Sequence, residues 1–373
     1  MFAFRALNAD RFVLAAALVF PWLRVPVCAG AAESPAPTAT AAPTPAPEAP
    51  AAEPTAVEQI RQQARALAPL MRTDAVQAFL AATADLPHVA PRTIYRNKAA
   101  HLAYTADEAE QLPEAERAAC TPRAFDESFY YFTAYGTPLI YARPLEIYAD
   151  VAGRESFAGC RVFDFGYGGV GHLRLLAANG ADAVGVDVEP VFRALYSQPG
   201  DKGTIAGRGG AAGKITLLHG QFPADAAVTA AAGDGYDLFL SKNVLKRGYI
   251  HPEREAPPEL LVHLGADDAA FVGAVWDMLK PGGYVLVYNI CPAQAPPDKP
   301  YIPWADGRFP FARGLVEGAG FEVLAWNVDD FPALYDIWAA VGYDEGKSLR
   351  EHSRDLFAHY TLLRKPLKAG AQK

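Results

Sequence analysis

The sequence is poor in cysteine, with four in 373 residues: Cys28, Cys120, Cys160 and Cys291. None of them show C-x-x-C spacing, so neither a zinc site nor a dithiol redox motif is predicted, and we expect no metal site. Cys160 and Cys291 lie in or beside apolar, strand-like runs. A thiol in that setting normally packs as a small apolar side chain.

Positive charge is also scarce. Lysine and arginine number 34 against 42 aspartates and glutamates, which gives a formal net charge of −8. Binding to duplex nucleic acid needs clustered cations, so this balance argues against a nucleic-acid partner. Apolar residues make up 51% of the chain, enough for a sizeable core in one large domain or two ordinary ones.

The apolar run near the N-terminus, Phe12–Leu23, is too short for an ordinary membrane span. Arg5 and Arg11 precede it and small residues follow it. This order predicts a secretory signal peptide over residues 1–32 and export to the periplasm or the cell exterior. The alternative is a misassigned start codon or an unremarkable hydrophobic N-terminus, which would leave the protein in the cytoplasm.

Proline and alanine dominate residues 33–56, and nothing in that stretch can build a core. The composition is typical of a semi-rigid, extended linker. Together with the predicted signal, it indicates association with the cell envelope through the N-terminus.

Residues 57–150 form a predicted helical N-terminal extension. The stretch "VEQIRQQARALAPLM" places apolar residues at spacings of three and four. Thr105 and Glu108 form a predicted capping box. The stretch Phe125–Val151 is rich in aromatic residues, which either pack against the next domain or form a lid over a small-molecule site.

The stretch "VFDFGYGGVG" places three glycines between an apolar strand candidate and a helix candidate: Gly166, Gly168 and Gly171. Without Cβ atoms, such a loop lets a ligand touch the backbone, and the helix start offers free N–H groups. The next predicted strand ends in Asp187, whose carboxylate can accept both hydroxyls of a ribose. The loop also fits the dinucleotide fingerprint G-x-G-x-x-G, although Asp164 stands where dinucleotide-binding folds usually carry an apolar residue.

From the glycine loop onward, the chain resembles the class I S-adenosylmethionine-dependent methyltransferases. The resemblance covers roughly residues 136–365 and rests on the loop, on Asp187, and on five later segments: Ile215–Phe222, Tyr236–Leu245, Leu279–Ile290, Gly318–Val328 and Leu356–Pro366. It implies an α/β fold over residues 151–368, a seven-stranded Rossmann-like methyltransferase sheet flanked by helices, after the helical extension. The chain departs from the family pattern at Tyr167, at Gln221, and in a glycine-rich insertion at 197–214.

The resemblance also implies S-adenosyl-L-methionine as the cofactor, bound at the carboxyl ends of the strands, where open α/β sheets hold their ligands. The family positions around the methionine, the ribose, the adenine and the fourth strand end correspond here to Asp164, Gly166, Gly168, Gly171, Asp187, Gln221, Phe222, Ser241 and Asn243.

In this family the methyl acceptor lies over the ends of the fourth and fifth strands, here residues 241–254 and 288–311. His251 is the candidate general base, because imidazole titrates near neutral pH. Tyr249 and Tyr288 are the candidates for orienting the acceptor. An exposed loop histidine and a packed tyrosine are the alternatives. Four basic residues nearby either receive an anionic substrate or form a solvated face: Lys242, Lys246, Arg247 and Arg254.

The leading hypothesis is therefore methyl transfer from S-adenosylmethionine to a small-molecule or envelope-associated acceptor. One alternative is a non-catalytic, exported cofactor-binding protein of the same fold, since fold alone does not fix catalysis. Another is an NAD(P)-dependent oxidoreductase, for which the sequence shows no second nucleotide-binding half. The acceptor atom and the oligomeric state stay open.

Overall fold

The computed structural model describes residues 54–207 and 210–367. The predicted signal peptide (1–32) and all but the end of the predicted linker (33–56) lie outside these residues and stay predictions. In the described ranges, no helix combines the length and apolar character that a bilayer crossing needs.

The N-terminal extension has helices at both ends and a small antiparallel sheet between them, with strand order β2-β1-β3. This sheet is not predicted by the sequence pattern. In chain order the elements are α1 (Ala56–Leu67), α2 (Asp74–Ala81), β1 (Arg92–Asn97), β2 (Leu102–Tyr104), α3 (Ala106–Glu110), α4 (Glu114–Ala118), β3 (Thr121–Phe125), α5 (Glu127–Tyr131) and α6 (Ala142–Ala152). Short 3₁₀ turns follow α1 and α2 and precede α6.

The rest of the chain alternates strands with helices. Its strands are β4 (Arg161–Phe165), β5 (Asp182–Asp187), β6 (Gly203–Ala206), β7 (Ala212–His219), β8 (Tyr236–Lys242), β9 (Leu279–Pro292), β10 (Glu322–Asp329) and β11 (Leu356–Arg364). Its helices are α7 (Gly171–Ala178), α8 (Pro190–Leu195), α9 (Ala226–Ala232), α10 (Arg247–Ile250), α11 (Asp268–Met278), α12 (Arg313–Gly318), α13 (Phe331–Ala340) and α14 (Leu349–His352).

These strands form one mixed sheet in the order β10-β11-β9-β8-β4-β5-β7-β6. The five central strands are parallel, whereas β11 runs antiparallel between β9 and β10. All seven predicted strands are present, so the predicted α/β fold with a Rossmann-like methyltransferase sheet is confirmed. The eighth strand, β6, comes from the glycine-rich insertion and pairs antiparallel with β7.

Helices cover both faces of the sheet, which explains why every residue of β8 is buried. One apolar core includes Val57 of α1, Tyr167 of the glycine loop and Trp338 of α13. A second core, on the other face, includes Phe163, Phe239 and others packed around α11. The first core joins residues on both sides of position 150, the predicted boundary between extension and main domain.

Two buried polar contacts anchor α6. Glu146, which is 2% exposed, accepts hydrogen bonds from the backbone N–H groups of Arg72 and Thr73, just before α2. Arg143 forms a bidentate pair with Asp330 at the start of α13, with Nε 2.7 Å from Oδ2. The Tyr288 hydroxyl donates to the same Oδ2 at 2.8 Å. The extension is therefore fixed to the main sheet by charge as well as by apolar packing.

Candidate functional site

The glycine loop joins β4 to α7 and uses backbone conformations that favour glycine. Gly166 has a φ of +75° and Gly168 a φ of +59°, a region that other L-residues rarely adopt. A Cβ at Gly166 would also lie 2.5 Å from Val244 Cγ2, just beyond β8. Both glycines lie at the carboxyl ends of the central strands, and Val244 fills the space that a side chain at Gly166 would need.

Gly169 and Gly171 are glycine for a different reason: the extension lies against them. A Cβ at Gly169 would be 2.6 Å from the carbonyl oxygen of Phe132, and one at Gly171 would overlap the carbonyl oxygen of Tyr131. Gly171 is thus required by the packing of the extension on the loop. Its predicted contact with a cofactor stays a prediction.

Tyr167, one of the departures from the family pattern, points under the loop into the core and is 2% exposed. Its ring packs beside Phe192, with centroids 5.5 Å apart. It needs a glycine at Gly185 on β5, where a Cβ would lie 2.8 Å from Tyr167 Cδ1. The large residue in the loop is thus accommodated by a small one on the neighbouring strand.

Asp187 lies at the end of β5, half-buried, and its carboxylate already binds the loop. Oδ2 accepts the N–H of Gly168 at 3.0 Å, and Oδ1 accepts the N–H of Glu189 at 3.0 Å. Burial raises the pKa of Asp187 to about 6, against the opposing effect of these backbone donors. Each oxygen accepts one bond and keeps capacity for a hydroxyl donor.

Asp164, on β4, is fully buried beneath the loop. Its Oδ2 lies 2.5 Å from His172 Nε2 and 3.5 Å from the Tyr141 hydroxyl. The His172 ring stacks on Tyr141 with centroids 3.6 Å apart. Among the described residues, neither Asp164 Oδ1 nor His172 Nδ1 has a hydrogen-bond partner. His172 Nε2 can donate a hydrogen bond to Asp164 Oδ2, whereas Asp164 Oδ1 is a buried acceptor without a donor among the described residues.

Ser241 and Asn243 hold the strand ends together. The Ser241 hydroxyl donates to the carbonyl of Phe165 at 3.2 Å. Asn243 has a φ of +66°, and its Oδ1 accepts the backbone N–H of Ile290 at 2.7 Å. Both side chains are buried, so they stabilise the junction of β4, β8 and β9. A direct contact of either with a cofactor stays a prediction.

Gln221 and Phe222 follow β7, on the side where an adenine is expected. The Gln221 amide donates to the carbonyl of His263. Phe222 is 2% exposed and packs between Phe163 and Phe271, at centroid distances of 5.1 and 6.2 Å. Phe222 is therefore a core residue, and adenine contacts of this pair stay predictions.

The side chains of His251 and Tyr249, the predicted catalytic residues, have different surroundings. His251 Nε2 is 3.0 Å from both carboxylate oxygens of Asp268, and the pair lines an open surface depression of about 850 Å³ between the α10 end and α11. The residues lining this depression include neither the glycine loop nor Asp187. Tyr249 is buried, and its hydroxyl lies 3.2 Å from that of Tyr135 in the extension. The role of His251 as a general base stays a prediction.

Of the four basic residues noted in the sequence, the structure brings two together. Lys242 and Lys246 are 5% and 0% exposed and both face the ring of Tyr135. Arg247 instead approaches Glu253 and Asp306, and Arg254 donates to backbone carbonyls between residues 295 and 299.

Sequence reasoning missed His172 and Tyr141, although they surround Asp164. The available signal for His172 was a histidine directly after the last glycine, at the start of a largely apolar helix. Tyr141 lies in the aromatic stretch already assigned to packing or a lid. Its contact with Asp164 joins residues 23 positions apart, which local patterns do not reveal. Among the described residues, no group of three or more His, Cys, Asp or Glu side chains is placed to hold a metal ion.

No protein-family model and no curated protein matches the sequence. The structure is similar to solved structures at low identity. One is an S-adenosylmethionine-dependent methyltransferase from Mesorhizobium loti, with 18% identity and a TM-score of 0.32 over 56% of this chain and 92% of that one. Another is a phosphoethanolamine N-methyltransferase from Haemonchus contortus in complex with phosphomonomethylethanolamine and S-adenosylhomocysteine, with 14% identity and a TM-score of 0.35 over 61% of this chain and 53% of that one. A third is the [4+2]-cyclase SpnF, with 17% identity and a TM-score of 0.31 over 61% of this chain and 81% of that one.

Proposed function

We propose that this chain, whose fold is that of the class I methyltransferases, binds S-adenosyl-L-methionine at the glycine loop and transfers its methyl group to a small-molecule or envelope-associated acceptor. The observation that carries the proposal is the buried Asp164 Oδ1, which has no donor among the described residues. A buried carboxylate oxygen without a donor is costly. The α-ammonium of a methionine moiety lying along the loop would supply the missing donor.

Two further features fit this cofactor. Gly166 and Gly168 have positive φ values in the loop along which the methionine chain would pass. Asp187, at the end of the adjacent strand, keeps acceptor capacity for the two ribose hydroxyls. The chain's residues thus match the amino acid, the sulfur-bearing chain and the ribose of one molecule in that order.

The same features support a nicotinamide dinucleotide less well. Such a cofactor spans two parallel βαβαβ halves. In the described sheet, β8 and β9 are parallel to β4, but an antiparallel strand, β11, pairs with β9, so the second half lacks its third parallel strand. The non-catalytic alternative predicts cofactor binding without turnover.

Bound S-adenosylmethionine would supply an electrophilic methyl group on a sulfonium. The chain's own part is to hold an acceptor in line with that group and to exclude water. The carboxyl ends of β8 and β9 and the covering residue Tyr135 form the surroundings of the acceptor. His251 remains the predicted base.

The test of the proposed function is calorimetry on the full chain. We expect S-adenosylmethionine and S-adenosylhomocysteine to bind and NAD to give no comparable heat, because the ligand site matches a single nucleoside carrying an amino acid. The assignment would be refuted if NAD bound and neither S-adenosylmethionine nor S-adenosylhomocysteine gave a heat of binding. Binding of the sulfur ligands without methyl transfer to any added acceptor would favour the non-catalytic alternative.

Asp187→Asn tests the ribose contact and its pH dependence. At pH 7.5 the variant should bind S-adenosylhomocysteine about 1–3 kcal/mol more weakly, the usual loss for charge-assisted hydrogen bonds. Hydroxyl donors favour the carboxylate, so ligand binding lowers the pKa of Asp187 from its value of about 6 in the free protein. Wild-type affinity should therefore be highest above pH 6 and decline as the pH falls below it.

The variant carries no titrating carboxyl at this position, so its affinity should vary less over the same range. Equal affinities and equal pH profiles for the two proteins would show that Asp187 is not the ribose ligand.

A further inference from the structure

Two lysine side chains are buried side by side at the place where the methyl acceptor is expected. Lys242 is the last residue of β8, and Lys246 directly precedes α10. We propose that the acceptor carries an anionic group, a carboxylate or a phosphate, which binds at Lys242 and Lys246. This inference rests on the proposed function, since it concerns the acceptor half of the same site.

The contacts of the two ammonium groups differ. Lys246 Nζ donates to the carbonyls of Ile290 at 2.6 Å and Trp304 at 3.2 Å. Lys242 Nζ lies over aromatic rings, 5.1 Å from the centroid of Tyr141 and 5.7 Å from that of Tyr135. In the part of the chain that the structure describes, neither ammonium forms an ion pair, and Lys242 Nζ has no hydrogen-bond acceptor.

A buried cation normally has a charged partner. Without one, the free-energy cost of desolvating the ammonium group far exceeds the gain from packing the methylene groups of the side chain. Aromatic faces offset only part of that cost. An anionic group on the ligand would provide both the countercharge and the missing acceptor. Lys242 is the reachable member of the pair, because it keeps 5% of its surface exposed whereas Lys246 keeps none.

The electrostatic surroundings agree with this arrangement. Burial and the neighbouring Lys246 lower the pKa of Lys242 to about 7, while Asp164 opposes the shift. Burial lowers the pKa of Lys246 to about 8, with Cys291 opposing. The titratable groups facing the pair from the packed elements are Tyr135, Tyr141, Asp164, Tyr249, Cys291 and His359. An anion would hold both lysines in their charged form.

The experiment uses sulfate as the probe, because its charge is constant between pH 6 and 9. Sulfate is titrated into the full chain saturated with S-adenosylhomocysteine, and also into the ligand-free chain. The test variant is Lys242→Met, whose linear apolar side chain fits the aromatic surroundings. The matched control is Lys299→Met, which removes an exposed lysine paired with Asp298.

We expect sulfate to bind the saturated wild type and the Lys299→Met control alike, and Lys242→Met at least 10-fold more weakly. Wild-type affinity should be highest near pH 6 and decline as the pH rises through 7 and 8, since the lysines then lose their protons. Retained binding of S-adenosylhomocysteine would show that Lys242→Met is folded.

Equal sulfate affinity in wild type and Lys242→Met would overturn the inference. So would sulfate binding only to the ligand-free chain, because the anion would then occupy the carboxylate position of the cofactor instead. If S-adenosylhomocysteine itself does not bind, the proposed function fails, and the sulfate titration of the ligand-free chain still reports on the lysine pair separately.

Discussion

Asp164→Asn should weaken the binding of S-adenosylhomocysteine roughly 10- to 150-fold, the equivalent of about 1.5–3 kcal/mol for a hydrogen bond to a charged group. The amide has the shape of the carboxylate, and its oxygen can still accept a hydrogen bond from His172 Nε2. It lacks the negative charge that would hold an α-ammonium. The variant should therefore fold normally and lose affinity only for ligands that carry the amino acid group.

The comparison ligand is 5′-methylthioadenosine, which has the nucleoside and the sulfur but no amino acid group. Its affinity should be the same in wild type and Asp164→Asn. The matched control is Asp182→Asn at the amino end of β5, another carboxylate with a buried oxygen that lacks a partner among the described residues. Equal losses for both ligands, or an equal loss in the control, would contradict the contact proposed for Asp164 Oδ1.

Asp330→Ala should lower the free energy of unfolding by about 3–5 kcal/mol, the usual cost of breaking a buried ion pair from one side. The change leaves Arg143, with 19% of its side chain exposed, without its countercharge. It also removes the acceptor of the buried Tyr288 hydroxyl. Urea denaturation followed by circular dichroism would measure the loss.

Asp298→Ala is the control for that change. Asp298 is 74% exposed and pairs with Lys299 at 3.7 Å, and such surface pairs contribute at most about 1 kcal/mol. If Asp330→Ala lowered the free energy of unfolding by less than about 1 kcal/mol, the Arg143–Asp330 pair between α6 and α13 would contribute little to stability.

The main sheet could be predicted because each of its strands has a recognisable pattern in the local sequence. Strands covered on both faces contain continuous apolar runs, as in "YVLVY" of β9, and the turns between them carry glycine and aspartate. The small sheet of the extension gives no such signal. Its strands have three to six residues, and only a few of their side chains are buried.

The site could be predicted in part, for the same reason. One strand–loop–helix–strand unit contains Asp164, Gly166, Gly168 and Asp187. The spacing within this unit is enough to place them near the carboxyl ends of two adjacent strands. Gly171 must be a glycine because the carbonyl of Tyr131, 40 positions earlier in the chain, leaves no room for a Cβ. The meeting of Lys242 with Lys246 depends on a turn at the end of β8 and on the cover of Tyr135. Both are matters of tertiary packing and have no local pattern.

The shared core determines whether the extension and the main sheet can exist as separate folded fragments. Because apolar side chains of α1, the glycine loop and α13 belong to one cluster, the extension and the main sheet should unfold in a single cooperative transition. Limited proteolysis near residue 150 would then release no stable fragment, since removing the extension uncovers the loop glycines and the apolar face of α7 together. During synthesis the extension leaves the ribosome before the main sheet, and its apolar face stays without a partner until α7 has been made.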